Sequence, residues 1–116
     1  MQFENAHQLD SYLKNNPKLA ELLIEDSPNL VAVPMPTSTQ LHLKVLQIHR
    51  CANIRSFDTP KFLRYLSLKG CPTLLNLRQL PDSLVNLLIY DCPLITKIPA
   101  LPAALGNMRI RRSKSA

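Results

Sequence analysis

The chain has 116 residues, a formal charge of +6, 46% hydrophobic residues and only 5% aromatics, so its apolar content is mostly Leu and Ile. That length suits one domain, and no apolar run approaches the length of a membrane-spanning helix. Three cysteines do not pair evenly into a disulfide framework, so a reducing environment is expected, and MQFENAHQLD has no signal-peptide pattern.

Gly occurs twice and Pro ten times. A chain that turns often with so little Gly is expected to repeat a turn that does not need positive φ. Four of the fourteen basic residues, Arg109, Arg111, Arg112 and Lys114, lie in the last eight positions. The charge excess is therefore largely a basic end, and the rest of the chain is closer to balanced.

In chain order, Phe3, Ala6, Leu9 and Leu13 come first, spaced as one helical stripe. Asn15, Asn16 and Pro17 stop it. A helix over 5–15 is expected, within an 18-residue segment that caps the first turn of a solenoid.

From Leu19 the chain repeats itself. LAELLIEDSPNLVAVP, LKVLQIHRCANIRSFD, LRYLSLKGCPTLLNLR and LVNLLIYDCPLITKIP begin at Leu19, Leu43, Leu63 and Leu84, and a partial copy, LGNMRIRRS, begins at Leu105. The starts are 24, 20, 21 and 21 residues apart. The common pattern is L-x-x-L-x-[IL]-x-x-[CS]-P-x-[LI]-x-x-hydrophobic. Its fourth position holds Leu22, Leu46, Leu66, Leu87 and Met108, and its sixth holds Ile24, Ile48, Leu68, Ile89 and Ile110. Cysteine or serine occupies the ninth position: Ser27, Cys51, Cys71, Cys92 and Ser113.

Alternation over the fourth to sixth positions is that of a short strand. One copy is too small to bury its apolar face, and stacked copies make a parallel sheet. Pro28, Pro72 and Pro93 disfavour a long helix on the returning side. The ninth-position column is expected to hydrogen-bond backbone groups where the chain leaves the sheet. A zinc site built from Cys51, Cys71 and Cys92 is disfavoured, because the regular spacing contains no C-x-x-C pair.

These repeats resemble the leucine-rich repeats, L-x-x-L-x-L-x-x-[NC]-x-L, at the short end of their period. The resemblance covers Leu19 to Ser113. It implies an α/β solenoid: a right-handed coil with a parallel sheet on one face, an N-terminal capping helix and a mostly irregular convex side. The whole chain is then one domain, with residues 1–18 as the cap, 19–113 as about four and a half repeats and 114–116 as a tail. The Leu-Pro pairs (Leu80-Pro81, Leu101-Pro102) and the short period are most similar to repeats of bacterial effector proteins. Cys or Ser stands where those repeats usually carry Asn.

An enzyme needs a convergent set of groups, and no H-E-x-x-H, P-loop, G-x-S-x-G or dinucleotide fingerprint is present. His49 and Cys51 lie at outward and inward positions, which argues against a nucleophile pair. Glu21, Glu25 and Asp26 are expected on an open face without enclosure to perturb them. No catalytic, cofactor or metal residue is therefore assigned.

The outward strand positions are the expected binding surface, usually the concave one. Leu23, Val45, Tyr65, Leu88 and Tyr90 place apolar bulk there, and Tyr and Arg are the residues that most often anchor interfaces. The expected protein-binding residues are Val45, His49, Tyr65, Lys69, Leu88, Tyr90, Arg109 and Arg111. The family resemblance implies a secreted effector, monomeric alone, that binds or occludes a host protein or a co-secreted enzyme. The alternative is binding of nucleic acid or an anionic surface through Arg109, Arg111, Arg112 and Lys114, although no nucleic-acid motif accompanies them.

Overall fold

The structure is a computed structural model that describes residues 1–75, 77 and 79–111. Ser113, Arg112 and Lys114, which carry the end of the ninth-position column and half of the basic end, lie outside the described residues.

Five short strands form one sheet: β1 (Glu21–Glu25), β3 (Val45–His49), β5 (Tyr65–Lys69), β6 (Asn86–Tyr90) and β7 (Asn107–Arg111). They lie side by side in that order, all parallel. The pairing is in repeat register: Leu22 opposes Leu46, Leu46 opposes Leu66, Leu66 opposes Leu87 and Leu87 opposes Met108. Two-residue strands β2 (Ala32–Val33) and β4 (Ser56–Phe57) pair in parallel on the returning side. The molecule is thus a parallel-strand, solenoid-like sheet with two helices among the described residues.

The core follows the repeat columns. The fourth, sixth and twelfth positions of the first four repeats are buried, from Leu22, Ile24 and Leu30 to Leu87, Ile89 and Ile95. The starting leucines Leu43, Leu63 and Leu84 join them. Each repeat closes by the same hydrogen bonds. The carbonyl of Lys44 accepts from Arg64 and Tyr65, that of Arg64 from Val85 and Asn86, and that of Val85 from Gly106 and Asn107.

The repeated turn differs from the sequence expectation. The residue after each strand has positive φ in four repeats: Asp26 (50°), Arg50 (55°), Gly70 (64°) and Asp91 (56°). This conformation aims its N–H at the next strand, as when Asp26 donates to His49, Arg50 to Lys69, Gly70 to Tyr90 and Asp91 to Arg111. The left-handed region strains most side chains, but Asp tolerates it through its short polar side chain. Gly count was therefore a poor guide, because three non-Gly residues hold a turn of this kind.

Helix α1 (Ala6–Asn15) starts at Asn5, whose side chain accepts from the Gln8 N–H at 2.9 Å, and ends at Asn16. Its Leu9 and Leu13 enter the core. Phe3 is also buried, but in the extended segment before the helix, where its N–H donates to Ser27 Oγ at 2.9 Å. Ala6 is exposed, so the helical stripe is shorter than its sequence spacing suggested. A second helix, α2 (Thr37–His42), occupies the longest interval between repeats, the 24 residues from Leu19 to Leu43.

The ninth-position column is interior. Ser27, Cys51 and Cys71 are 0% exposed and Cys92 is 3% exposed. Ser27 Oγ donates to the Glu25 carbonyl at 2.9 Å, and Cys51, Cys71 and Cys92 Sγ reach the carbonyls of His49, Lys69 and Tyr90 at 3.5, 3.5 and 3.4 Å. Each side chain thus caps the carbonyl two residues back, where the strand ends. Burial pushes the Cys51 thiol up from its ordinary range. All three thiols are expected to react with a small alkylating reagent only on unfolding, since all three lie in the interior, out of its reach. Stopped alkylation followed by intact-mass measurement checks this, and rapid triple labelling of the native protein would remove the column from the interior.

Candidate functional site

The register places every candidate residue on one side of the sheet. Buried fourth and sixth positions alternate with half-buried third, fifth and seventh positions along β3 and β6. Val45 opposes Tyr65, Leu88 opposes Arg109, and His49, Lys69, Tyr90 and Arg111 run as one row across four strands.

Tyr90 is the centre of this row. Lys69 Nζ lies 5.5 Å from its ring centroid and Arg111 Cζ lies 5.9 Å away. Each cation comes from an adjacent strand, so the ladder sets the arrangement. A ring held between two cations presents an apolar body within a positive field. Leu88 is half-buried two residues before it on the same side of β6, and Tyr65 is half-buried at the other end of the face, opposite Asn86.

Ser67, at the fifth position of β5, is outward by parity yet fully buried. Its hydroxyl shares a hydrogen bond with His49 Nε2 at 3.1 Å. Desolvation, followed by the charges of Lys69 and Arg50, holds the His49 imidazolium below its usual range, so the ring is neutral at pH 7. His49 thus braces the middle of the face. Sequence reading missed Ser67 because the strand pattern marks it as solvent-facing. Only the bulk of its neighbours covers it.

Two of the acids at the first strand, Glu25 and Asp26, are paired. Arg50 Nε lies 2.8 Å from Asp26 Oδ1, and Arg50 Nη2 lies 3.0 Å from Glu25 Oε2. The terminal amine of Met1 lies 3.7 Å from Glu25. The open face does perturb one acid: the hydrogen bond from Arg50 holds the Asp26 carboxyl below the usual carboxylate range. The shift comes from a partner charge and favours the ionised form, which does not suit a proton donor.

A recess of about 690 Å³ opens away from this face, lined by Thr59, Lys61, Phe62, Gln79, Leu80, Pro81, Asp82 and Ser83. Its one serine is committed to the turn, with Ser83 Oγ donating to the Leu63 carbonyl at 2.7 Å. Among the described residues, no helix is long and apolar enough to cross a membrane.

No family model, curated protein or solved structure matches the chain. Its functional reading therefore rests on its own geometry.

Asp26 has a depressed folded-state pKa, so its contribution to stability is present above the ordinary Asp range and is lost as pH falls through the folded value. Asp26→Asn keeps a side chain tolerant of positive φ and removes the charge. The melting-temperature difference between the wild type and this variant is expected to be largest near neutrality and to shrink below pH 4 or so. A difference that grows on acidification would contradict the ion pair.

Proposed function

We propose that this chain is a leucine-rich-repeat solenoid that binds a partner protein through the outward, concave face of its strands. The repeat columns and their in-register parallel ladder support the repeat assignment. A right-handed coil follows from the hand that parallel crossovers take in nearly all sheets. Helix α1 serves as the N-terminal cap, supported by the burial of Leu9 and Leu13 against the first repeat.

One observation carries the binding function. Tyr90, between Lys69 and Arg111 and two residues from Leu88 on the same side of β6, gathers aromatic, aliphatic and cationic groups on one face of the sheet, and Tyr65 adds a second ring at the other end of β5. This is the composition of interface anchors, which bury large area at little entropic cost. Val45 and His49 extend the surface toward β1, and Arg109 extends it toward β7. Catalysis has no comparable support, because the face is open and the serine of the recess donates to the Leu63 carbonyl. The setting of a secreted effector that docks on a host protein or a co-secreted enzyme rests on the repeat resemblance alone.

Affinity capture with the immobilised protein, from host-cell lysate and from lysate of the source organism, tests the proposal. Tyr90→Ala and Tyr65→Ala are expected to weaken retention of the captured protein more than about tenfold, as truncation of an anchor does. Val31→Ala and Leu94→Ala, on exposed positions of the returning segments, are expected to leave it within about twofold. A larger effect from the second pair would move the site to the other face. A partner found only in the source organism would remove the host target.

A further inference from the structure

The two edges of the sheet are finished differently. At β1, the chain's own first residues close the edge: the terminal amine of Met1 donates to the Leu23 carbonyl at 2.8 Å, and the Glu25 N–H donates to the Met1 carbonyl at 2.9 Å. At β7, no described strand lies beyond. Met108 is 43% exposed and Ile110 is 40% exposed, although their columns are buried in the first four repeats.

The backbone groups of β7 can be assigned to its two sides. Asn107 donates to the Val85 carbonyl and the Arg111 carbonyl accepts from Asp91, so the odd-numbered residues bond toward β6. With a period of two, the N–H and C=O groups of Met108 and Ile110 face the open edge. They stand where Leu46 and Ile48 of β3 face β5. A strand laid here would set apolar side chains beside Met108 and Ile110, continuing the buried columns.

Its alternate side chains would meet Arg109 and Arg111, and among the described residues neither has an ion-pair partner. The opposite end of the sheet shows what suits them, because there Arg50 reaches across to the acids of the neighbouring repeat. Cross-strand pairs of opposite charge stabilise a sheet, and like charges oppose it.

We propose that β7 accepts an added strand from a partner protein, an extended segment in which apolar and acidic side chains alternate. This is strand addition at a sheet edge, with main-chain hydrogen bonds giving affinity and alternate side chains giving selectivity. It concerns the backbone edge of the sheet, and it shares Arg109 and Arg111 with the outward face.

The probe is a short end-blocked peptide alternating Glu and Val, compared with its Lys–Val counterpart by fluorescence anisotropy and by amide hydrogen exchange on the full chain. The Glu–Val peptide is expected to bind roughly tenfold more tightly than the Lys–Val peptide. It should slow exchange of the Met108 and Ile110 amides, which are expected to exchange fast in the free protein. Arg109→Glu with Arg111→Glu should invert the preference. Ile110→Pro removes an N–H that points to the open edge and leaves pairing with β6 intact, so it should abolish binding with a near-native melt. Ile110→Ala keeps the N–H and should weaken binding less.

Equal binding of both peptides, or binding that leaves the two amides fast, overturns the proposal. Slow amides in the dilute free protein would show the edge closed by residues 112–116 of the same chain. Amides that slow only as protein concentration rises would show a second copy there. Either result also overturns it. Protection of the Met108 and Ile110 amides reports on the edge alone, so its failure leaves the Tyr90 surface standing.

Discussion

One turn of this chain cannot keep its leucines from water. Leu46 is buried because a parallel strand stands on each side of it and a returning segment lies beneath, and the same holds for Leu66 and Leu87. Burying such a side chain contributes about 1.5–3 kcal/mol before conformational entropy is subtracted. The gain depends on strict register, because a slip of one residue would turn every leucine outward. Where the stacking ends, burial ends too: Met108 and Ile110 have the same pattern as their predecessors and lie exposed.

The same register creates the candidate surface. If Leu87 and Ile89 of β6 must face inward, then Asn86, Leu88 and Tyr90 face out or nearly so. Lys69 and Arg111 flank Tyr90 because the seventh position repeats from strand to strand. The face is consequently not assembled from distant loops, as a catalytic pocket often is, but emerges as a set of columns. Ser67 and His49 brace its centre, while Arg50 neutralises the acids at its first strand. Among the described residues, positive charge without an ion-pair partner collects at Arg109 and Arg111, on the last described strand.

The columns were legible in the sequence because burial repeats with the period of the coil. Leu22, Leu46, Leu66 and Leu87 are recognisable without coordinates, and so is the helix that Asn5 begins and Asn16 ends. Other features have no periodic signature. Asp26, Arg50 and Asp91 adopt positive φ because the ladder directs their N–H groups, and their residue types show little of this. Helix α2 lies in TSTQLH, which carries no apolar stripe, and only the longer interval before Leu43 hinted at inserted structure. The burial of Ser67 and the pairing of Arg50 depend on how neighbouring strands crowd one another, which strand alternation does not encode. The eight candidate surface residues were placed on one face by parity alone, and the cation–ring geometry at Tyr90 came only from the stacked strands.

Backbone proton contacts in an NMR spectrum of the labelled chain test the in-register parallel stack most directly. The stack predicts contacts between amide and α protons of neighbouring repeats, linking Val45 with Tyr65 and Tyr65 with Asn86, and no short α-to-α contacts between those strands. Strong α-to-α contacts, or contacts shifted by one residue so that Tyr90 falls in the interior, would contradict it.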